Sequence, residues 1–378
     1  MDIYGKKYTV ADLRRRVGNL DQIAAIRTVQ LDDGNERPSR AALVHTGSGL
    51  AFTVLLDRCM DISSVSFNGQ AMGWRSTCGD VAPQYYEAEG IRWLRSYTGG
   101  LVATCGLMNV GAPRPESALL GTGLHGRIGH APARNIQIRQ EWQGDDYILS
   151  ITGTMRETVV FGENLALTRT ISTKLGSTSF TLHDVITNEG FSETAYQLLY
   201  HCNMGWPVVD DGSEMIVPVK HVAPRDEEAR NGKESWWKCG PPVHAYKEKV
   251  YYLDVAGDAK GFATTAIVND GFKRGCGLGT YIRYNVKELP RFVVWKQMGE
   301  QDYVVGFEPC NCGVEGRHVD EALGLLHSLR PGASKKVTLE FGAVTSEKEA
   351  AAIRKAAASV KASFVDSYTE FVKKPKKA

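Results

Sequence analysis

The sequence predicts an all-β protein, a large antiparallel β-sandwich with a short N-terminal helix and one C-terminal helix. Three observations carry this. Apolar and polar residues alternate at close to period two in four consecutive runs, 136–139, 147–151, 165–171 and 179–186. Turn residues separate these runs at short intervals, as in sheets that meet face to face. No composition break, linker or internal repeat divides the 378 residues. One domain over 1–378, with a helical extension at about 346–372, is therefore the economical reading.

The elements follow in order. Thr9 and Asp12 resemble a capping box and predict a brief helix to about Arg16. Residues 41–46 and 50–56 flank Gly47-Ser48-Gly49 and read as a hairpin. Residues 57–62 read as an apolar strand carrying Arg58 between two aspartates, where it serves either an ion pair or a substrate oxygen. The stretch 81–98 holds Tyr85, Tyr86, Trp93, Leu94 and Tyr97 and predicts a helical or irregular excursion. A Gly/Pro-rich loop, 111–123, leads to His125, where nearby glycines let backbone approach closely. Residues 221–242, with Trp236 and Trp237, read as a surface loop able to fold over a pocket. Further strands are predicted at 249–253, 263–268, 278–284, 292–296 and 336–341. Ser346 and Glu349 form a second capping box. It opens a helix with Ile353, Ala357, Val360, Phe364, Tyr368 and Phe371 on one face, packed on the sandwich or on a second subunit of a homodimer.

Composition narrows the class. Hydrophobic content of 43% and charged content of 23% suit a soluble protein with a large core. A net charge of +2 supplies no basic field for nucleic acid, and the basic tail 373–377 reads as solvated. No apolar run is long enough to span a bilayer. Eight cysteines lack framework spacing and the N-terminus lacks an apolar signal core, so reduced thiols in the cytoplasm are expected. Cys310 and Cys312, with His318 nearby, have no second cysteine pair at zinc-like spacing, and no metal is expected there.

The most chemically suggestive stretch is 303–312. Val304, Val305 and Phe307 favour a buried strand, and Pro309 is expected to end its pairing. Glu308 then stands at the strand's last position, where lost hydration raises a carboxylate towards the range of a general base. The bland alternative is a rim ion pair with Arg291 or Arg317. His201 likewise precedes an Asn/Gly/Pro break, and Lys296 ends its own predicted strand.

Gly123-Leu124-His125-Gly126-Arg127, Tyr200-His201-Cys202-Asn203 and Gly306-Phe307-Glu308-Pro309-Cys310-Asn311, in this order, resemble the aldose 1-epimerases (galactose mutarotases). Asp57-Arg58-x-Met60-Asp61-Ile62, Trp93-Leu94-Arg95-Ser96, Gly99-Gly100-Leu101 and Thr104-Cys105-Gly106-Leu107 resemble a bacterial branch of that superfamily with no assigned function. The likeness spans roughly residues 20–343. It implies a galactose mutarotase-like β-supersandwich with a sugar cleft on its concave side. It also implies Glu308 as general base, His201 as general acid, His125 as a sugar-orienting histidine and Arg58 as a substrate-binding arginine. Arg127, Lys296 and Asn203 join them as expected substrate contacts, and Asp210 or Asp211 as candidates for a sugar-binding aspartate. The chain departs from the usual pattern at Thr122, at Arg127 and in Cys202-Asn203-Met204.

The chemistry fits these residue types. Opening a hemiacetal needs one group to take the anomeric proton and another to protonate the ring oxygen, with no metal or organic cofactor. The expected function is an aldose mutarotase acting on a small carbohydrate. Three alternatives stay open: an epimerase or isomerase removing a proton α to a carbonyl with the same pair, a non-catalytic carbohydrate-binding protein, and a metal-dependent isomerase using His125, His201 and Glu308. A lysine and an arginine near the cleft either favour an acidic or phosphorylated sugar or pair structurally with Glu300 or Asp302.

Overall fold

Alternating strands with one apolar face must stack to bury it, and among the described residues they form two eight-stranded sheets and one five-stranded sheet beside a two-stranded N-terminal pair. The computed structural model describes residues 1–113, 123–272 and 279–373. Most of the Gly/Pro-rich loop, Thr122, the start of the strand expected at 278 and the basic tail beyond Lys373 lie outside the described residues.

The outer sheet contains the clearest period-two segments as Arg134–Gln143, Asp146–Thr158, Asn164–Lys174 and Ser179–Asn188, joined by Ser334–Val344, Gly279–Asn285, Phe262–Val268 and Glu214–Ile216. The inner sheet runs His327–Leu329, Thr194–Gly205, Tyr303–Cys310, Arg291–Met298, Lys249–Val255, Val219–Pro224 and Ser363–Phe364, with Ala103–Leu107 beside Thr194–Gly205. The smaller sheet includes the expected hairpin as Arg40–His45 and Leu50–Leu55.

Alternation on the inner sheet makes two apolar layers. Tyr200, Cys202, Met204, Phe292, Val294, Val305 and Phe307 face the main core with Leu182, Ile282 and Phe341. Leu199, Val250, Tyr252, Val293, Val304 and Cys310 face the other way and meet Trp74, Trp93 and Tyr97. The second layer borders an open cleft.

A buried polar cluster ties the three sheets together. The Arg169 guanidinium donates to both carboxylate oxygens of Asp184 (2.9 and 2.7 Å), to Asp61 (2.8 Å) and to the Thr104 hydroxyl (2.9 Å). The Tyr200 hydroxyl donates to Asp184 at 2.7 Å. Tyr200 lies on Thr194–Gly205 itself and Thr104 on the strand beside it, so this cluster braces the strand that carries His201 from its core side.

Four details differ from the sequence reading. Residues 57–60 form a turn and the strand starts at Asp61, because Cys59 and Met60 take positive φ. The Glu308 strand continues through Pro309 to Cys310. The C-terminal helix is two helices, Glu347–Ala358 and Tyr368–Lys373, separated by a short strand at Ser363–Phe364 that pairs with Val219–Pro224. That edge pairing competes with helix over 359–367. Finally, residues 221–242 are mostly structured: Trp236 is buried beside Tyr251 and Trp237 is exposed. Among the described residues no helix is long and apolar enough to cross a membrane.

Candidate active site

The cleft is built on a register coincidence between two strands. Thr194–Gly205 and Tyr303–Cys310 pair antiparallel with Leu199 opposite Cys310 and Cys202 opposite Phe307. The same register sets Tyr200 opposite Pro309 and His201 opposite Glu308. Pro309 has no N–H to donate, so the ladder stays open at those two positions. On the other edge Pro309 still pairs with Phe292 and Glu308 with Val293. The proline thus interrupts one ladder without ending the strand.

His201 Nε2 and Glu308 Oε1 stand 3.2 Å apart, with His201 5% and Glu308 2% exposed. Oε1 has no aligned hydrogen-bond partner despite this close approach. Burial pushes the Glu308 carboxyl well above the usual carboxylate range and holds the His201 imidazole down to about 4. Gly306 makes room for the pair: a Cβ there would lie 2.7 Å from Glu308 Oε1 and 3.1 Å from His201 Cε1.

His125 arrives from a different element. It has φ 59°, a left-handed conformation uncommon for a residue with a side chain. Two backbone bonds hold it there, from its own N–H to Gly111 O and from the Gly106 N–H to its carbonyl, both 3.0 Å. The next residue, Gly126, has no room for a side chain, since a Cβ would run into the carbonyls of Gly106 and Asn109. The His125 and His201 rings lie 5.7 Å apart at 81°. Burial, then the neighbouring His201, lowers His125 to about 3.

Aromatic walls complete the cleft, whose volume is about 660 Å³. Trp74, Trp93, Tyr97 and Trp295 line it, with Trp93 stacked on Tyr97 at 4.3 Å and Trp295 edge-on to His201 at 5.3 Å. Its charged lining among the described residues is Arg225, Glu248, Asp302, Glu308 and Glu315. Arg225 bonds Glu248 at 2.8 Å and Asp226 at 2.9 Å, and Trp295 Nε1 donates to the other Glu248 oxygen at 2.7 Å. Gln297 also lines the cleft, and its Oε1 is buried without a hydrogen-bond partner.

The structure therefore brings His125, His201 and Glu308 to one cleft and places the other expected contacts elsewhere. Arg58 is buried, donating to the carbonyls of Gly129, Val81 and Ser96 at 3.0, 2.5 and 3.2 Å. It clamps the aromatic excursion to the sheet instead of meeting a sugar. Lys296 alternates onto the face opposite Trp295 and donates to Ser235 O and Lys238 O. Arg127 points to the outer side, 3.9 Å from Glu157. Asn203 lies behind His201, bonded to Tyr97. Asp210 and Asp211 are not among the cleft residues, and neither tryptophan of 221–242 reaches it. The rim-pair alternative for Glu308 also loses its partners: Arg291 donates to Tyr368, and Arg317 to Met108 O and Ala195 O. Among the described residues no three His, Cys, Asp or Glu side chains converge as a metal-holding group.

Sequence reasoning missed Trp295, Gln297, Arg225 and Glu248. Trp295 and Gln297 were within reach, since both share the period-two phase opposite to Lys296.

The model of DUF4432, a domain of unknown function, matches residues 36–343. The chain belongs to this family. No curated protein matches it. Among solved structures, this DUF4432 protein is similar to a "putative aldose 1-epimerase" from Klebsiella pneumoniae, with 25% identity, TM-score 0.85, and 92% of this chain and 93% of that one covered. It also shares its fold with a galactose 1-epimerase from Lactobacillus acidophilus (12% identity, TM-score 0.55, 84% and 98% covered). A galactose mutarotase-like protein from Clostridium acetobutylicum shares it too (12%, TM-score 0.53, 85% and 98%). The DUF4432 chain thus has the galactose mutarotase-like β-sandwich fold.

Proposed function

We propose that this DUF4432 protein is an aldose mutarotase that opens and closes the ring of a small neutral sugar by acid–base transfer between His201 and Glu308. The observation carrying this reading is the dry, directly opposed pair: a carboxyl and an imidazole 3.2 Å apart at the base of an aromatic cleft. One takes the anomeric proton and the other protonates the ring oxygen, and reversing both transfers closes the ring on the other face. The fold shared with the Klebsiella and Lactobacillus proteins supports the same reading.

The charge of the cleft supports a sugar without phosphate or carboxylate. Arg225 is already held by two carboxylates, and Glu248, Asp302 and Glu315 outnumber it. An anionic sugar would meet net repulsion there. Trp74, Trp93 and Trp295 suit the C–H faces of a pyranose, and Gln297 Oε1 awaits a hydroxyl donor.

An NMR exchange screen of free aldoses, each beside its phosphate ester, tests this. Accelerated anomer exchange in at least one free aldose, with its ester slower, is the expected result. A protein that accelerates only the esters would overturn the neutral-sugar assignment.

A further inference from the structure

We infer that the two cleft histidines are held in opposite tautomers, His125 with its proton on Nε2 and His201 with its proton on Nδ1, and that Tyr97 and Asn203 are the positioning residues that hold His201 so. The position of each ring's proton follows from hydrogen bonds, and that His201 carries only one agrees with its burial. The catalytic consequence rests on the mutarotase reading above.

The Asn203 amide can point only one way. Its Nδ2 donates to Gly100 O and His201 O, both at 3.0 Å, and a carbonyl oxygen can only accept. Reversing the amide would set its oxygen against those two carbonyls. Oδ1 therefore faces Tyr97 and accepts its hydroxyl proton at 2.8 Å. A phenol has a single proton, so Tyr97 offers a lone pair to His201 Nδ1, 3.1 Å away. Nδ1 must carry the hydrogen. In the neutral ring Nε2 is then bare, and it is the nitrogen facing Glu308.

His125 is fixed by a simpler contact. The Gly111 backbone N–H, which can only donate, points at His125 Nδ1 from 3.3 Å. Nδ1 is the acceptor and Nε2 bears the proton. The cleft thus presents an N–H donor from one imidazole and a bare nitrogen from the other. A sugar can meet both at once, a hydroxyl oxygen on His125 and the anomeric O–H on His201.

This assigns each proton in ring opening. His201 Nε2 takes the anomeric O–H proton, C1–O1 becomes a carbonyl and the C1–O5 bond breaks. The electron pair released to O5 takes the carboxyl proton of Glu308. An imidazolium and a carboxylate remain 3.2 Å apart, and ring closure returns both protons. Burial, which raises the Glu308 carboxyl well above the usual carboxylate range and lowers His201 to about 4, agrees with this order. It reverses the acid and base roles that the family resemblance implies, while the total number of protons on the pair is the same.

The test is a long-range proton–nitrogen correlation spectrum of ligand-free protein labelled with ¹⁵N-histidine at neutral pH, with His125→Asn and His201→Asn for assignment. We expect a protonated Nδ1 and bare Nε2 for His201, and the reverse for His125. A shared tautomer, a bare His201 Nδ1, or a doubly protonated His201 overturns the inference. Tyr97→Phe should mix the His201 tautomers and lower kcat by roughly tenfold to a hundredfold with little change in KM, the scale on which removing an imidazole's orienting partner acts at metal sites. An unchanged tautomer in folded Tyr97→Phe protein overturns the positioning role. The spectra need no sugar, so opposite tautomers in a protein that exchanges no anomers would sustain the inference while removing the mutarotase reading.

Discussion

His201 and Glu308 face each other across an antiparallel strand pair at the position where Pro309 leaves the ladder open. Strand register thus brings the His201 and Glu308 side chains together. Burial places the titration of His201 at about 4, so the ring stays neutral through physiological pH. On the acid side the rate of anomer exchange should fall only as pH approaches that value, while loss of the Glu308 proton at higher pH sets a separate alkaline limb. A pH–rate profile checks this, and an acid limb centred near 6.5, the ordinary imidazole value, would contradict it.

Gly306 should prove as demanding as the pair itself. Its Cβ position lies 2.7 Å from Glu308 Oε1 and 3.2 Å from the Trp295 Cβ, so an added methyl presses on the carboxyl. Gly306→Ala is expected to fold, displace the carboxyl and cost about a hundredfold in kcat/KM. Steady-state rates beside a circular dichroism spectrum decide it. An alanine variant with wild-type rates would show that the carboxyl has slack.

Glu308 should make the folded state pay a stability cost at high pH. Between the ordinary carboxyl value near 4.5 and the raised value of Glu308, the folded chain keeps a proton that the unfolded chain has lost. Stability from this group is complete below the unfolded value and is lost as pH rises through the folded one. Glu308→Gln carries no such dependence. The variant and the wild type should melt together near about pH 4, with the variant increasingly the more stable as pH rises. Thermal melts across pH measure the gap, and one that narrows with rising pH would refute the assignment.

Arg169 is fully buried and shared by Asp61 and Asp184. Arg169→Met leaves both carboxylates without their cation and is expected to cost about 3–5 kcal/mol. Denaturant unfolding reads this directly. A loss below about 1 kcal/mol, the level of a surface pair, would mean the cluster is not the brace described above.

How much of this was legible beforehand depends on the range of the interaction. The strands at 136–188 were readable because one buried face imposes period two locally. The capping box at Thr9 and Asp12 was readable for the same local reason. His125, His201 and Glu308 stood out as polar groups beside turns or strand breaks. Their convergence depends on pairing between strands a hundred residues apart, which no local pattern encodes. Lys296 was misplaced because its strand runs two residues further, to Met298, and the face it occupies follows from phase, not from a strand end. Arg58 was misread because a buried guanidinium serving three carbonyls has no sequence signature. Arg225 and Glu248 carry no local signal, and only the bond from Trp295 ties Glu248 into the cleft.

The central claim is that this pair opens and closes a sugar ring, and exchange spectroscopy in deuterated water tests it most directly. Wild-type protein should interconvert the anomers of a free aldose about 10²–10⁴ times faster than Glu308→Gln protein, with no deuterium entering any carbon position. Equal rates for every aldose tried, or deuterium appearing on the carbon beside the carbonyl, would contradict it.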